Sequence, residues 1–174
     1  AAEYATFQGA FILGLQKKYA DKITELGNLV KANPESDYAD DALYEIGRAY
    51  VLQEQNDSAI TTYEKVLANY PKTAVARKAA LEIGMLYSNM TQSNKAMTAY
   101  KKVVELYPNS EEAKTAIESL QTLYVENNDI EGYLAYVKEI AGVAVAVLPE
   151  TQEDSLSFVA AERLFVKTHY NEAA

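Results

Sequence analysis

The sequence predicts an all-α solenoid built from antiparallel helix pairs, and three observations support this fold class. The nine residues YEKVLANYP at 63–71 return as YKKVVELYP at 100–108, 37 positions later. Within each copy, apolar residues recur at i, i+4, i+7 and i+8, which is the spacing of one helical face. Only seven Gly and four Pro occur in 174 residues, and this argues against a turn-rich all-β chain.

Each 37-residue unit has the pattern of two helices joined by a polar turn. Ala42, Ile46 and Ala49 mark the apolar stripe of a first helix, and Tyr63 and Val66 belong to that of a second. The turns between the stripes read QEQND, TQSN and ENND in successive units. A Pro ends the second helix, and a polar residue soon after it can cap the next first helix. The candidate capping residues are Ser36, Thr73, Asn109 and Ser110.

Small residues recur where the two helices of a pair must approach each other closely. Gly47 precedes Ala59 by 12 residues, and Gly84 precedes Ala96 by the same interval. We expect each Gly to face its Ala across the pair and to leave a gap there, because a large side chain at either position would overpack the contact. The tyrosines of both helices would then fill the space around the crossing.

The repeats predict one solenoid domain over residues 1–174. Its predicted parts are helix pairs at about 2–36, 37–73, 74–110 and 111–141, a linker at 142–153 and an incomplete pair at 154–174. The segment GVAVAVLPETQED at 142–154 lacks helical periodicity, and it fits either a long connection or a β-like ribbon. Because the chain begins AAEY rather than with Met, we expect it to be part of a longer protein.

The spacing of these residues resembles the tetratricopeptide repeat. The first complete copy matches the family pattern with Gly47, Tyr50, Ala59, Tyr63 and Pro71, and the second matches it 37 residues later. The usual period is about 34, and the three extra residues lie before the first helix, where they add nearly one turn. The resemblance implies a right-handed superhelix that serves as a non-catalytic scaffold for protein partners.

Long first helices, YP endings and the entry pattern of Pro34, Ser36 and Ala42 are most similar to repeat proteins of the bacterial cell envelope. These include periplasmic cell-division coordinators and the lipoprotein of the outer-membrane barrel assembly machine. The resemblance implies a periplasmic or outer-membrane-associated protein.

Composition argues against several classes of function. The net charge is −9 and no Lys/Arg cluster exceeds a dipeptide, so nucleic acid is not an expected partner. With no Cys and a single histidine, His169, we expect no metal, cofactor or catalytic site. The longest apolar runs, GAFILGL and AGVAVAVL, are far shorter than the roughly 20 residues of a membrane-spanning helix.

In the family that the sequence resembles, the first helices line a concave groove, and this implies a set of partner-binding residues. Their mixture of a few large anchors and small polar groups suits a peptide or a helix. The alternative is that Tyr44 and Leu81 only cover neighbouring helices. The positions are Asp41, Tyr44, Arg48, Val51, Lys78, Leu81, Met85, Ser88, Thr115, Glu118, Thr122 and Val125.

The favoured function is therefore a protein-interaction scaffold whose groove binds a peptide or helix, with Arg48 as the main polar anchor. The alternative is a structural segment of a longer envelope protein that self-associates through exposed terminal helices. An enzyme or glycan-binding module is a third hypothesis, and a closed pocket lined by ionisable residues would support it.

Overall fold

The computed structural model describes residues 2–140, which contain eight α-helices and no strand. Tight turns join them into four antiparallel pairs. The helices are α1 (Ala2–Leu15), α2 (Tyr19–Ala32), α3 (Ala39–Leu52), α4 (Asn56–Asn69), α5 (Ala74–Asn89), α6 (Ser93–Leu106), α7 (Glu111–Glu126) and α8 (Ile130–Ile140). The predicted linker at 142–153, the predicted incomplete pair at 154–174 and His169 lie outside the described residues.

Each helix packs against its neighbour in the chain, and the first helices of successive pairs also contact each other, α3 with α5 and α5 with α7. Two clusters of buried side chains share α5, so the hydrophobic core continues from pair to pair. This arrangement is an α-solenoid, in which a pair buries its apolar faces by stacking on its neighbours. The predicted fold class is confirmed.

The close approach inside a pair is made by a glycine and a tyrosine. A Cβ atom added to Gly84 would lie 2.5 Å from Cε1 of Tyr100, and one added to Gly47 would overlap the ring of Tyr63. The expectation that tyrosines fill the space around the crossing is confirmed for Tyr63 and Tyr100, and each glycine leaves room for one of these rings. Ala96, one turn before Tyr100, is fully buried, and the Tyr ring reaches from the next turn of the helix into the space over the glycine.

The turn inside each pair repeats one backbone conformation. Lys17, Glu54, Thr91 and Asn128, spaced 37 residues apart, have φ between 56° and 59°. In each turn the next residue donates its N–H to a carbonyl five residues earlier, as in Gln92 N–H to Tyr87 O at 2.9 Å. This is the Schellman ending of a helix, and here a residue other than Gly adopts the left-handed conformation.

The helix caps agree in part with the sequence. The Thr73 hydroxyl accepts a hydrogen bond from Ala76 N–H, and the Ser110 hydroxyl accepts one from Ala113 N–H. Ser36 does not cap α3, which begins later, at Ala39. Its hydroxyl instead donates to Glu3 of α1 and accepts from Tyr38 N–H.

A tyrosine hydroxyl links each of two consecutive pairs to the pair before it. Tyr70 Oη donates to the Pro34 carbonyl at 2.7 Å, and Tyr107 Oη donates to the Pro71 carbonyl at 2.9 Å. The YP ending thus supplies both partners of a bond between successive units: the Pro of one unit accepts from the Tyr of the next.

Candidate functional site

The twelve candidate residues lie on one face of α3, α5 and α7, here called the first-helix face. Four residues from each helix recur at i, i+3, i+7 and i+10, and corresponding residues are 37 positions apart. None of the twelve is buried. The exposed ones are Asp41, Arg48, Lys78, Met85, Thr115, Glu118 and Thr122, and the half-buried ones are Tyr44, Val51, Leu81, Ser88 and Val125.

Several of the half-buried residues also contribute to the core. Tyr44 and Val51 pack against one buried cluster, and Leu81 and Val125 pack against the other. The Tyr44 ring lies 5.5 Å from that of the buried Tyr63. These side chains therefore support the helices beneath the face while exposing part of their surface on it.

Arg48 belongs to an ion-pair network that joins two helix pairs. Its Nη1 lies 2.8 Å from Oε1 of Glu45, whose Oε2 lies 2.5 Å from Nζ of Lys22 on α2. The Lys22 and Glu45 side chains are only 8% and 9% exposed, whereas Arg48 is 51% exposed. Burial raises the pKa of Glu45, but the hydrogen bonds and charges of Lys22 and Arg48 outweigh it and hold the pKa below its usual value.

Glu82 occupies on α5 the place that Glu45 occupies on α3, with different neighbours. Burial raises the pKa of Glu82, and the charge of Arg48 and a hydrogen bond from the Tyr44 hydroxyl offset this only in part. Burial likewise raises the pKa of Tyr44 to about 12, so its hydroxyl stays protonated and can donate. Arg48 therefore lies between one strongly paired carboxylate and one weakly paired carboxylate.

The hydroxyl of Tyr63 lies beside this network, buried and without a hydrogen-bond partner. The corresponding Tyr100 interacts with the side chains of Ser88 and Ser119. At the places of these two serines, one repeat earlier, stand Val51 and Glu82. Val51 cannot accept a hydrogen bond, and Glu82 is engaged by Tyr44, which explains the unpaired hydroxyl.

Lys22, Glu45 and Glu82 are not among the residues predicted from the sequence. One signal was available: Lys22 stands 37 residues before Ala59, a packing position, so a charge there requires a partner. The identity of that partner, 23 residues away, depends on how the second pair stacks on the first.

Among residues 2–140, no group of three or more His, Cys, Asp or Glu side chains is arranged to hold a metal ion. Within the same residues, no helix is both long enough and apolar enough to cross a membrane.

The tetratricopeptide repeat family model matches residues 41–73 and 78–110. The two matched segments are each similar to one tetratricopeptide repeat, and α3 to α6 supply their helices. No curated protein sequence matches the chain.

Several solved structures have a similar fold. The MamA crystal structure is 20% identical, with a TM-score of 0.60 over 78% of this chain and 74% of MamA. A tetratricopeptide repeat protein from Parabacteroides merdae is 13% identical, with a TM-score of 0.65. That match covers 98% of this chain but only 62% of the Parabacteroides merdae protein.

A putative kinesin light chain from Podosopora anserina, with nearly identical TPR-like repeats, is 14% identical, with a TM-score of 0.55. The match covers 98% of this chain and 88% of that one. At these identities the likeness concerns the fold alone. Tetratricopeptide repeat proteins, whose family model matches residues 41–73 and 78–110, generally mediate protein–protein interactions.

Proposed function

We propose that the chain is a non-catalytic scaffold whose first-helix face forms a groove for a peptide or helix of a partner protein. The observation that carries the proposal is the register of exposed side chains across three successive first helices. Arg48, Met85 and Thr122 stand at corresponding places on α3, α5 and α7, and all three are exposed. A partner lying across the helices would meet one of them at each repeat.

Arg48 is the proposed polar anchor. Its ion pair with Glu45 uses one terminal nitrogen, and half of the side chain stays exposed. A guanidinium has five N–H donors in a planar fork, so the free edge can bind a carboxylate of the partner with two hydrogen bonds. Exposed Lys78 on the next helix adds a second positive charge, and exposed Met85 adds an adaptable apolar contact.

Site-specific crosslinking tests the location of the partner. A photoreactive amino acid in place of Met85 should crosslink a protein in the source cells, and the same group in place of exposed Thr24 on α2 should not. The crosslinked segment of the partner can be identified by mass spectrometry and synthesised as a peptide. Crosslinks from position 24 but not from 85 would contradict a groove on the first-helix face.

Titration of that peptide tests the anchor. Arg48→Ala should weaken binding by about 2 kcal/mol if Arg48 is a binding hot spot. Because Arg48 also bonds Glu45, the melting temperature of the variant must be measured in parallel. The matched control is Lys65→Ala, which removes an exposed positive charge from α4. Equal affinities of the wild type and Arg48→Ala would rule out Arg48 as the anchor.

We also propose that the protein works in the bacterial cell envelope, in the periplasm or at the outer membrane. The support is the similarity of the YP endings and long first helices to envelope repeat proteins. Fractionation of the source cells, with detection of the protein after osmotic shock and after membrane extraction, tests this proposal. Recovery in the cytosolic fraction alone would contradict it.

A self-associating structural segment is the second candidate, and α1 favours it. This helix buries only Ala10, while Leu15 is 80% exposed and Phe11 and Ile12 are also exposed. Association through this surface would make the measured mass rise with protein concentration. Light scattering should then detect dimers that Leu15→Glu abolishes, whereas a constant monomer mass would exclude this candidate.

A further inference from the structure

An apolar groove, here called the α4–α6 groove, lies between two second helices. Leu67 of α4, Ala99 of α6 and Ile83 of α5 line a cavity of 390 Å³. An adjoining cavity of 470 Å³ shares Leu67 and extends to Pro71 and Leu106. At about 100° per residue, Ile83 lies nearly half a turn of α5 away from the first-helix face, so this groove is a separate surface.

The rims of the groove are charged, and their charges are not neutralised by neighbours. Lys95 and Lys102 line the α6 rim, two helical turns apart, and Glu64 lines the α4 rim. Among the described residues, none of these three side chains forms an ion pair. Lys95 lies over the Tyr87 ring, with Nζ 5.4 Å from the ring centroid. The α6 rim is therefore a positive edge on a chain whose net charge is −9.

The apolar surface continues to the far end of α6. Leu106 is 47% exposed although it borders the groove, and exposed Ala68 lies on the facing rim. From Lys95 to Leu106 the groove follows eleven residues of helix, or roughly 16 Å at the rise of an α-helix. Three turns of a partner helix cover the same distance.

We propose that the α4–α6 groove binds an amphipathic helix of a partner protein that carries carboxylates along one side of its apolar stripe. The apolar side chains of this helix enter between α4 and α6 and cover Leu106. Its carboxylates pair with Lys95 and Lys102, and Glu64 disfavours acidic residues on the opposite side. Charge complementarity therefore selects both the partner and its direction in the groove. Binding in the α4–α6 groove does not require that another partner occupies the first-helix face.

The test uses a displayed library of peptides of about four helical turns, ~14 residues, with Leu fixed at i, i+4 and i+7. The flanking positions are random. Selection on the protein should enrich Asp and Glu on one flank of the Leu stripe. A fluorescent copy of the best peptide is then titrated by anisotropy, beside a copy whose acidic residues are replaced by Lys.

Two groove variants and one matched control locate the binding site. Ala80→Leu fills the floor with the residue that stands at the corresponding place, Leu43, in the preceding repeat. Lys102→Glu reverses the charge of the rim. Lys65→Glu makes the same reversal 37 residues earlier, in the cleft between α2 and α4. Circular dichroism checks that each variant is folded. If Ala80→Leu does not fold, Lys102→Glu still tests the proposal.

We expect the acidic peptide to bind the wild type and Lys65→Glu with equal affinity. It should bind both groove variants at least about ten-fold more weakly. Lys102→Glu should bind the Lys-substituted peptide better than the wild type does. Selected peptides without an acidic flank, no saturable binding, or unchanged affinity in both groove variants would overturn it. So would a protein dimer that dissociates in Ala80→Leu, because the occupant would then be a second copy of the chain.

Discussion

Glu45 and Glu82 occupy corresponding places on α3 and α5, but their surroundings act on them in opposite directions. Glu45 bonds two cations and has a lowered pKa, whereas Glu82 is half-buried with a raised pKa. A lowered pKa in the folded state means that ionisation of Glu45 stabilises the fold, and a raised pKa means that ionisation of Glu82 destabilises it. The same substitution should therefore have opposite effects at the two positions.

Glu45→Gln should lower the free energy of unfolding at pH 7 by about 3 kcal/mol, because it leaves Lys22 buried without its counter-ion. The stabilisation by Glu45 is full above its unfolded pKa of about 4.3 and is lost as the pH falls through its lower folded pKa. The difference in free energy of unfolding between the wild type and Glu45→Gln should therefore become smaller below about pH 4. Urea unfolding from pH 3 to pH 7 measures this difference, and a difference that stays constant with pH would contradict the buried ion pair.

Glu82→Gln should instead stabilise the protein at pH 7, by less than about 1 kcal/mol because the side chain is only half-buried. The destabilisation by ionised Glu82 is full above its raised folded pKa and disappears below the unfolded value. Wild type and variant should therefore unfold at the same urea concentration near pH 3. A lower unfolding midpoint for Glu82→Gln at pH 7 would show that its contacts with Arg48 and Tyr44 outweigh burial.

Gly84 and Gly27 both lie inside helices, but only one of them has room for a methyl group. Gly84→Ala would place Cβ 2.5 Å from the buried Tyr100 ring, and nothing lies within 4 Å at Gly27. Gly27→Ala should stabilise by about 0.5–1 kcal/mol through helix propensity. Gly84→Ala should destabilise by about 1 kcal/mol, because the cost of overpacking against the Tyr100 ring exceeds the gain in helix propensity. Thermal unfolding of both variants tests this, and an equal gain in both would refute the close Gly–Tyr contact.

At the scale of the helix and its turns, the four residues with positive φ determine the turn that joins the two helices of each pair. Thr91 is the least suited of the four, because β-branched side chains strongly disfavour positive φ. Its hydroxyl bonds only the exposed Met90 carbonyl, at 2.7 Å. The turn is thus held by its backbone bonds and by the packing of α5 on α6.

Thr91→Gly should stabilise the protein by roughly 0.5–1 kcal/mol, since the relief of left-handed strain exceeds the added entropy of the unfolded chain. Thr98→Gly, on the exposed side of α6, is the matched control and should destabilise, because Gly is a poor helix former. Chemical denaturation compares the two. Destabilisation by both changes would mean that position 91 carries no strain.

The sequence could predict the elements because their signals are local. Thr73 and Ser110 cap α5 and α7 as expected from their positions after a Pro. Failures occurred where distant groups compete. Ser36 bonds Glu3, 33 residues away, instead of capping α3, and Lys22 pairs with Glu45 rather than with a residue of its own pair. The choice of candidate partner-binding residues stays a prediction, because repeat spacing gives their positions but not what binds them.

At the scale of the whole molecule, pairs are joined by their apolar faces and by the Tyr–Pro hydrogen bonds. Tyr107→Phe removes the bond to the Pro71 carbonyl and should lower the free energy of unfolding by about 1 kcal/mol. Tyr70→Phe should have a similar effect, since it removes the equivalent bond to Pro34. Tyr4→Phe is the control, because Tyr4 has no hydrogen bond from its hydroxyl to the described residues. Equal stability of all three variants would show that these bonds do not hold the pairs together.

The helix caps, the turns with positive φ and the Tyr–Pro hydrogen bonds recur with a period of 37 residues. A whole repeat can therefore be duplicated or lost in a gene as one unit. A duplicated copy of residues 74–110, inserted after 110, would bring its own cap, its own left-handed turn and a Tyr positioned to reach the Pro before it. An in-frame duplication whose length is not a whole number of repeats would separate one of these groups from its partner. Genes for such chains can therefore lengthen or shorten by whole repeats without a new folding problem.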